Sequence, residues 1–356
     1  SALPASARLV LLGDKDQLAS VEAGAVMGDL CESGGTSGTP GAASSSAYDA
    51  QTVDWIHRLT GYRLQASAQP TSALARQTVM LRHSRRFSGP IGAVARAVNQ
   101  GNGPEVRRLL LESTGGPITM ETTPDARWVA LRAVNGGEGQ PGSYRDYFEQ
   151  VSRGPDERSG EAFDDWVRSV LKAFDRMRVL CALRDGPWGA AGLNTAIEAS
   201  LVDSGQLSRH RDEWYVGRPV LVTRNDPSLG IFNGDIGIVL GTPSAKGAGR
   251  IVQGHRRAWF EDSNGLRSVS VHRLADVQTA FAMTVHKSQG SEFGHVVLAL
   301  PDRDSPVLTR ELLYTGITRA REACTVVSSD VAGIERALSR RTRRLSGLAD
   351  RLRHPR

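Results

Sequence analysis

The 356 residues, 40% of them hydrophobic, are enough to bury the cores of two or three domains. The 44 Lys and Arg against 38 Asp and Glu give a net charge of +6, which suits a polyanionic partner as well as an ordinary charged surface. No apolar run approaches the length of a membrane span and the amino terminus lacks the pattern of a signal peptide, which disfavours membrane and secreted proteins. Cys31, Cys181 and Cys324 form no C-x-x-C pair, so we expect buried free thiols in a soluble, cytoplasmic protein.

The first predicted element is a buried strand over residues 8–12, a short, apolar run of the kind found in parallel sheets. It ends in Gly13-Asp14-Lys15-Asp16-Gln17-Leu18, polar residues placed where open α/β sheets bind ligands. The small residues of 33–47 predict a flexible linker. They contain no lysine and are therefore not a Walker A loop, and the pattern G-x-x-x-x-G-K-[ST] occurs nowhere in the chain.

Helices and strands alternate from there to about residue 213. Apolar periodicity predicts helices at 53–64, 91–99, 105–112, 144–151 and 162–176, and strands at 78–81, 128–131 and 178–183. A basic cluster, Arg82-His83-Ser84-Arg85-Arg86-Phe87, follows the strand at 78–81. The strand at 178–183 leads through a glycine-rich loop into a helix that begins near Asn194. Trp188 in that loop either stacks on a base or packs inside the loop.

Short β-rich runs separated by turn signals fill residues 214–274. Asn233-Gly234 between apolar runs is a strong hairpin signal. The pattern predicts a small barrel inserted between two parts of an α/β domain. Its basic residues, Lys246, Arg250, Arg256 and Arg257, either contact nucleic acid or form an ordinary charged surface.

Two dense polar stretches follow, and they carry most of the functional signal. Thr284-Val285-His286-Lys287-Ser288-Gln289-Gly290-Ser291-Glu292-Phe293 lies between two apolar segments, where polar groups are costly unless they line a cleft that faces a polar ligand or a polyanion. The second stretch is Tyr314-Thr315-Gly316-Ile317-Thr318-Arg319-Ala320-Arg321-Glu322. We disfavour catalysis or metal binding by His286 because no second histidine stands at ligand spacing, and we predict no metal site in the chain.

These two stretches resemble motifs V and VI of superfamily 1 helicases, and their form is most similar to that of the RecD type. Gly13 to Leu18 resemble motif III, and the arginine cluster at 82–87 resembles motif IV. The resemblance covers residues 9 to about 328 and is thin between 101 and 176. It implies an α/β fold built of RecA-like P-loop NTPase helicase domains with an inserted SH3-like β-barrel.

The resemblance also implies roles for individual residues. Gln17, Arg86 and Arg319 would be catalytic, Gln17 as a sensor of the terminal phosphate and the arginines as cations on the transferred phosphoryl group; Arg85 is the alternative to Arg86. Arg319 would lie on a helix, with Arg321 on its other side in a structural role. The implied ATP-binding residues are Gly13, Asp14, Gln17, Arg86, Gly290, Glu292 and Arg319. The implied DNA-binding residues are Thr284, His286, Lys287, Ser288, Gln289, Trp188 and Asn194.

The same resemblance gives a domain plan. Residues 1–87 would be the end of the first RecA-like domain, 88–213 with 275–332 the second, 214–274 the inserted barrel, and 333–356 a basic tail. The Walker motifs of the family precede motif III, so the chain is expected to be the C-terminal portion of a longer protein. We expect it not to hydrolyse ATP alone, since the ligands of the phosphates and Mg²⁺ would lie upstream.

The implied function is that of an ATP-dependent 5′–3′ DNA helicase subunit of exodeoxyribonuclease V. It would act on single-stranded DNA with RecB-like and RecC-like subunits in double-strand break repair and recombination. Two alternatives stay open. One is a non-hydrolysing DNA-binding or assembly subunit that keeps the helicase shape. The other is a stand-alone superfamily 1 helicase, which acts on DNA or RNA.

Overall fold

The computed structural model describes residues 3–4, 6–18, 26–33, 48–67, 73–79, 89–112, 116–123, 125–155, 160–209, 212–243, 251–342 and 351. They divide into two units, one formed by Ser1–Ser84 with Arg341–Arg356 and the other by Arg85–Arg340. We call them the terminal unit and the central unit and describe each by itself.

The terminal unit contains three described helices: α1 (Val26–Ser33), α2 (Ala50–Thr60) and α3 (Ala73–Arg76). Helix α2 begins where the Asp49 carboxylate accepts a hydrogen bond from the Thr52 amide at 2.8 Å. It ends at Gly61, whose left-handed φ of 76° suits a residue without a Cβ. The helix predicted at 53–64 is confirmed with shifted ends. The side chains of Trp55 and Leu59 on this helix are 55% and 65% exposed.

The strand predicted at 8–12 is also wrong. These residues form no strand, and the side chains of Leu9, Val10, Leu11 and Leu12 are between 53% and 88% exposed. A central parallel strand needs hydrogen-bonding neighbours on both edges, and the described part of this unit contains no strand that would provide them. At 78–81, Thr78 and Val79 are not in a strand. Residues 80–88, with Arg85 and Arg86, lie outside the described residues, as does most of the predicted linker.

The central unit is built on a five-stranded parallel sheet with the strand order β1-β10-β9-β2-β8. Its strands are β1 (Ile118–Thr122), β2 (Met177–Cys181), β8 (Ala282–Thr284), β9 (Phe293–Ala299) and β10 (Ala320–Ser328). Every residue of β2 and β9 is buried. Apolar runs are what a sheet covered on both faces requires, and the strand predicted at 178–183 is confirmed as β2 with shifted ends.

Eight helices of the described residues accompany this sheet. They are α4 (Gly89–Gln100), α5 (Gly103–Glu112), α6 (Ala126–Asn135), α7 (Tyr144–Arg153), α8 (Gly160–Asp175), α9 (Ala190–Asp203), α10 (Arg310–Ile317) and α11 (Ala332–Ser339). Helix α8 buries one apolar face, which consists of Phe163, Trp166, Val167, Val170, Leu171 and Phe174. No helix among the described residues is long and apolar enough to cross a membrane.

One predicted strand of the central unit is a helix. Residues 128–131 lie in α6, which begins where the Asp125 side chain accepts a hydrogen bond from the Arg127 amide at 2.8 Å. Val129, Ala130 and Ala133 are fully buried, at helical spacing. Four consecutive apolar residues are compatible with a strand and with a helix. The N-terminal cap by Asp125 favours the helix. The edge strand β1 was not predicted, because its alternating polar residues give no apolar run.

A second sheet is antiparallel, with the order β6-β5-β4-β3-β7. Its strands are β3 (Pro219–Val222), β4 (Ile236–Pro243), β5 (Ile251–Asp262), β6 (Gly265–Ser270) and β7 (Val277–Thr279). The β-rich character of this segment is as predicted. Its closure into an SH3-like barrel is not confirmed, because β6 and β7 stand at opposite edges of the sheet and do not pair with each other in the described residues. Strands β3 and β7 are neighbours, so the insertion leaves and rejoins the parallel core at one place.

The two sheets share one hydrophobic core. Buried Ile238 and Leu240 of β4 belong to the same cluster as the apolar residues of α6 to α9. The rings of Phe163 in α8 and Trp259 in β5 lie 5.2 Å apart between centroids. The insertion is therefore packed onto the parallel core rather than tethered to it.

Candidate functional site

The polar segment 284–292 connects two edges of the parallel sheet. Thr284 ends β8 in register with Cys181, which is also in register with Ala299 at the end of β9, so Thr284 lies at the carboxyl edge. Phe293 starts β9 beside Ala320, the first residue of β10, at the amino edge. Since β9 has seven residues, the two edges are about 20 Å apart. The predicted site residues therefore form two groups: Thr284, His286, Lys287, Ser288 and Gln289 are the carboxyl-edge group, and Glu292 and Arg319 are the amino-edge group.

The carboxyl-edge group sits in a tight turn at residues 285–290. The Thr284 carbonyl accepts hydrogen bonds from the amides of Lys287 and Ser288, at 2.9 and 3.2 Å. Gly290 closes the turn with φ of 86°, a left-handed conformation that a Cβ would strain. Backbone bonds therefore fix the position of this group before any ligand binds.

The side chains of the turn are used in different ways. The Lys287 ammonium reaches the inserted sheet and donates to Asn233 Oδ1 at 2.8 Å. The Ser288 hydroxyl is fully buried and donates to the Val285 carbonyl at 2.8 Å, so it holds the turn rather than facing a ligand. Thr284, His286 and Gln289 are partly exposed.

Two of the predicted DNA-binding side chains are turned into the protein. The Asn194 amide donates to the carbonyls of Ala190 and Ala282, both at 2.8 Å, and accepts from the Ala282 amide at 2.9 Å. It thereby ties α9 to β8. Trp188 is 3% exposed and belongs to the hydrophobic core, which corresponds to the loop-packing alternative and leaves no ring face for a base.

The amino-edge group is organised around Arg319. The resemblance implied that Arg319 lies on a helix, and this is wrong. Helix α10 ends at Ile317, so Arg319 lies in the turn before β10. It is 3% exposed, and its Nε and Nη1 donate to the carbonyls of Thr315 and Ser291, each at 3.2 Å. Its guanidinium is thus held in one orientation against the end of segment 284–292.

Other members of this edge are more accessible. Glu292 is partly exposed, and Gly290, which ends the turn between the two edges, is exposed. Arg321 is exposed on β10 and is not the structural residue expected on a helix face.

The predicted phosphate-sensing loop, residues 13–18, lies in the terminal unit. Gln17 Nε2 donates to Asp14 Oδ2 at 3.0 Å, and the Asp16 amide donates to Asp14 Oδ1 at 3.0 Å. At the end of the loop, Leu18 is buried, with 7% of its surface exposed. The Asp14 carboxylate therefore holds the loop backbone at Asp16 and orients the side-chain amide of Gln17.

The basic residues predicted on the insertion are partly described. Arg256 bonds the Asp212 carboxylate and, at 2.8 Å, the Trp214 carbonyl. Arg257 donates twice to Ser268, at 2.8 Å each. Both guanidinium groups have protein partners, while Lys246 and Arg250 lie outside the described residues.

A fully buried arginine, Arg178, was not predicted from the sequence as part of the site. Arg178 in β2 donates to the Ala280 carbonyl at 3.0 Å and to Asp175 at 3.1 Å. Its guanidinium carbon is 3.6 Å from the ring centroid of Phe174 and 4.8 Å from that of Phe293. Burial lowers its pKa from the usual range, against the opposing effect of its partners. A charged residue at the start of an apolar strand was the available signal.

A buried histidine was also missed. His295 in β9 is 1% exposed, and its Nε2 lies 2.9 Å from Thr325 Oγ1, while its Nδ1 has no partner among the described residues. Burial, with the positive charge of Arg132 as a smaller cause, lowers the pKa of His295 to about 4. The ring is therefore neutral near pH 7.

Comparison with known proteins agrees with the motifs. A family model described as the UvrD-like helicase C-terminal domain matches residues 279–327, which contain both edge groups. RecBCD enzyme subunit RecD of Mycobacterium tuberculosis is 36% identical over 97% of this chain and 49% of its own length. The Haemophilus influenzae RecBCD subunit RecD is 30% identical over 98% of this chain and 50% of its own length. The chain spans about half the length of the curated relatives it matches.

More distant similarities are found as well. An ATP-dependent RecD2 DNA helicase of Deinococcus radiodurans is 33% identical over 50% of this chain and 23% of its own length. Among solved structures, Bacteroides Pif1 helicase in complex with ADP-AlF3 and single-stranded DNA is 15% identical, with a TM-score of 0.27, over 60% of this chain and 51% of that one. The parallel sheet flanked by helices, together with the helicase family model, identifies a RecA-like helicase fold.

Proposed function

We propose, from the premise that this chain is similar to the C-terminal portion of RecD over 97% of its length, that it is the corresponding part of an ATP-dependent 5′–3′ DNA helicase. The predicted resemblance to RecD-type helicases is confirmed by these relatives. The activity, substrate and partners of the whole protein are our proposal.

The observation that carries this proposal is the path of segment 284–292. One end of the segment holds Lys287 at the carboxyl edge of the sheet, and the other end holds Ser291 against Arg319 at the amino edge. Eight residues, 285–292, separate β8 from β9. A displacement of Arg319 that follows the state of a bound nucleotide would thus be passed along a short, hydrogen-bonded segment to a nucleic-acid contact. A motor needs such a connection between its two ligands.

The residues present fit a nucleotide whose phosphates lie against a cation. ATP with Mg²⁺ would supply the phosphoryl transfer that drives movement. Arg319 would stabilise the charge that develops on the transferred group, and its two carbonyl contacts orient the guanidinium in advance. By resemblance, Glu292 would bond the ribose hydroxyl.

The contacts to nucleic acid would be largely blind to sequence. Lys287 and the partly exposed Thr284, His286 and Gln289 offer a cation and polar groups for phosphates and sugars. Single-stranded DNA is the proposed substrate. RecB-like and RecC-like subunits are the proposed partners, since the relatives with the fullest coverage of this chain are named as RecBCD subunits. A cytoplasmic location follows from the same proposal.

A second candidate is a stand-alone helicase. The similarity to an ATP-dependent RecD2 DNA helicase favours it, over 50% of the chain. Co-purification of the full-length protein with further subunits would separate the two candidates.

The proposal predicts where ATP hydrolysis resides. We expect no DNA-stimulated ATPase activity from the 356 residues alone, since they contain no phosphate loop, and activity from a protein extended upstream through one. In the extended protein, Arg319→Ala should lower kcat on the order of 10³-fold, the scale of an arginine finger. Steady-state ATPase rates with and without oligothymidylate measure both effects.

Arg321→Ala is the matched control, since Arg321 is exposed two residues further on. It should retain wild-type activity, and circular dichroism should show that Arg319→Ala remains folded. Turnover by the present chain alone, or an equal loss in both variants, would contradict the proposal.

A further inference from the structure

The loop that connects β3 to β4, residues 223–235, carries an exposed aromatic ring. Phe232 is 50% exposed, and among the described residues of 89–340 it is the one aromatic side chain with so much of its surface in solvent. A single exposed apolar residue needs no explanation by itself. Three properties of its surroundings set this ring apart.

The first property is rigidity. The Phe232 amide donates to Asp235 Oδ2 at 2.8 Å, and the amide of the next residue, Asn233, donates to Asn225 Oδ1 at 2.8 Å. Below the tip, Asp226 and Ile231 form an isolated β-bridge, in which the Asp226 amide donates to the Ile231 carbonyl at 2.8 Å. The backbone that carries the ring is therefore fixed. Little entropy remains to be lost when the ring contacts a ligand.

The second property is the position of the ring. Asn233 Oδ1 accepts the hydrogen bond of Lys287 Nζ at 2.8 Å, so the loop tip touches the turn of the carboxyl-edge group. Phe232 is the residue before Asn233. An aromatic side chain from the insertion is thereby placed beside the lysine proposed to bind a phosphate.

The third property is the distribution of charge. Asp226 accepts hydrogen bonds from the hydroxyl and the amide of Ser228, at 2.7 and 3.0 Å. These bonds and the nearby Arg273 lower the pKa of Asp226. Asp235 is likewise engaged by the Phe232 amide. The acidic groups of the loop thus bond the loop itself, whereas Arg224 and Arg273 are exposed. The two carboxylates of the loop are therefore engaged by its own amides, and its exposed charged side chain is the cation Arg224.

We propose that Phe232 stacks on a base of the single strand whose phosphate contacts Lys287, so that the insertion supplies a base-binding wall to the carboxyl-edge group. This inference rests on the proposed function and adds a residue and a type of contact to it. Stacking suits an enzyme that does not read sequence, because every base has a π face. The fixed loop keeps the ring at a constant distance from the lysine.

The test is single-strand binding by the 356-residue chain over a range of salt concentrations, measured by fluorescence anisotropy with labelled oligothymidylate. Phe232→Ala should weaken binding about tenfold and leave the slope of log Kd against log salt unchanged, because no phosphate contact is lost. Lys287→Ala should reduce that slope by about one phosphate contact. Phe232→Trp should bind as tightly as wild type.

Leu111→Ala is the matched control, since Leu111 is equally exposed, at 51%, on α5. An oligonucleotide with abasic sites throughout gives the sharpest comparison: wild type and Phe232→Ala should bind it equally, because there is no base to stack. Wild-type affinity of Phe232→Ala for oligothymidylate, a changed salt slope, or a persistent difference on the abasic strand would each overturn the stacking role. If wild type binds no single strand at all, the proposed function itself fails.

Discussion

Buried polar side chains form hydrogen bonds between neighbouring strands of the parallel sheet in the central unit. Arg178 bonds the Ala280 carbonyl next to β8 and lies under Phe293 at the start of β9. His295 of β9 bonds Thr325 of β10. Each of these contacts joins a strand to a neighbouring strand or, for Ala280, to the residues just before one. Removing one partner of such a contact leaves the other buried without a hydrogen bond, which is costly.

His295 should make stability depend on pH. Its pKa is lowered from about 6.5 to about 4, so between these values the unfolded chain binds a proton that the folded chain does not. Stability from this residue is complete above pH 6.5 and is lost as the pH falls towards 4. Between pH 7.5 and 4.5 the loss should be about 2.5 kcal/mol. Urea unfolding at a series of pH values measures it.

The comparison that isolates this contribution is His295→Gln, which should flatten the pH dependence of unfolding by that amount. His272 is exposed, and His272→Gln should leave the wild-type profile unchanged. An identical pH profile for His295→Gln and wild type would show that the folded state accepts the proton on this ring.

At this scale the sequence motifs located the positions of the site but not the directions of its side chains. Lys287 lies near one end of segment 284–292, and Arg319 contacts Ser291 near the other end. The proposed nucleic-acid contact and the proposed nucleotide contact are therefore joined by one segment. Asn194, Trp188 and Ser288 are also near the carboxyl edge, yet each bonds or packs against protein. A polar residue in a motif is compatible with a ligand contact and with a local hydrogen bond. Only the positions of neighbouring carbonyls distinguish the two.

Strand β8 is held by a side chain of α9 as well as by a neighbouring strand. It has three residues and pairs with β2 along one edge. On its other side, the Asn194 amide of α9 bonds both the amide and the carbonyl of Ala282. The side chain thus replaces one residue of a missing neighbouring strand. Since β8 leads into segment 284–292, this bond also positions the carboxyl-edge group.

We expect Asn194→Ala to destabilise the central unit by about 2–4 kcal/mol, because two buried backbone groups of Ala282 lose their partner. Thr195→Ala is the matched control: Thr195 is exposed and bonds only within its helix, and its loss should cost less than about 0.5 kcal/mol. Urea midpoints of the two variants provide the measurement. Equal midpoints would mean that Ala282 finds another partner.

Elements with a strong period or a long apolar run were predictable. Strands β2 and β9 and the amphipathic helix α8 follow directly from pattern. Strand β1 was missed because its sequence, Ile-Thr-Met-Glu-Thr, alternates and its register comes from β10. Residues 8–12 have the pattern of a buried strand but no described neighbour to pair with. A strand is a property of its partners, and the local sequence does not contain them.

For the whole molecule, the continuous core of the central unit predicts its folding behaviour. The cluster that joins α6 to α9 with β4 crosses from the parallel sheet to the insertion. A protein restricted to residues 85–340 should therefore fold by itself and unfold in a single transition, with both sheets lost together. Near- and far-ultraviolet circular dichroism should give coincident curves. Two separate transitions would show that the insertion is an independent domain.

The pairing of β1 with β10 has a consequence for synthesis. Thr119 and Thr325, which face each other across this pair, are separated by 206 positions. At typical rates of translation, about 5–20 residues per second, β1 leaves the ribosome roughly 10–40 seconds before its partner exists. Unpaired apolar strands are prone to aggregate during such an interval. The two threonines and the glutamate of β1 make it a poor candidate for that fate, so the residues that hid this strand from prediction also protect the nascent chain while it waits.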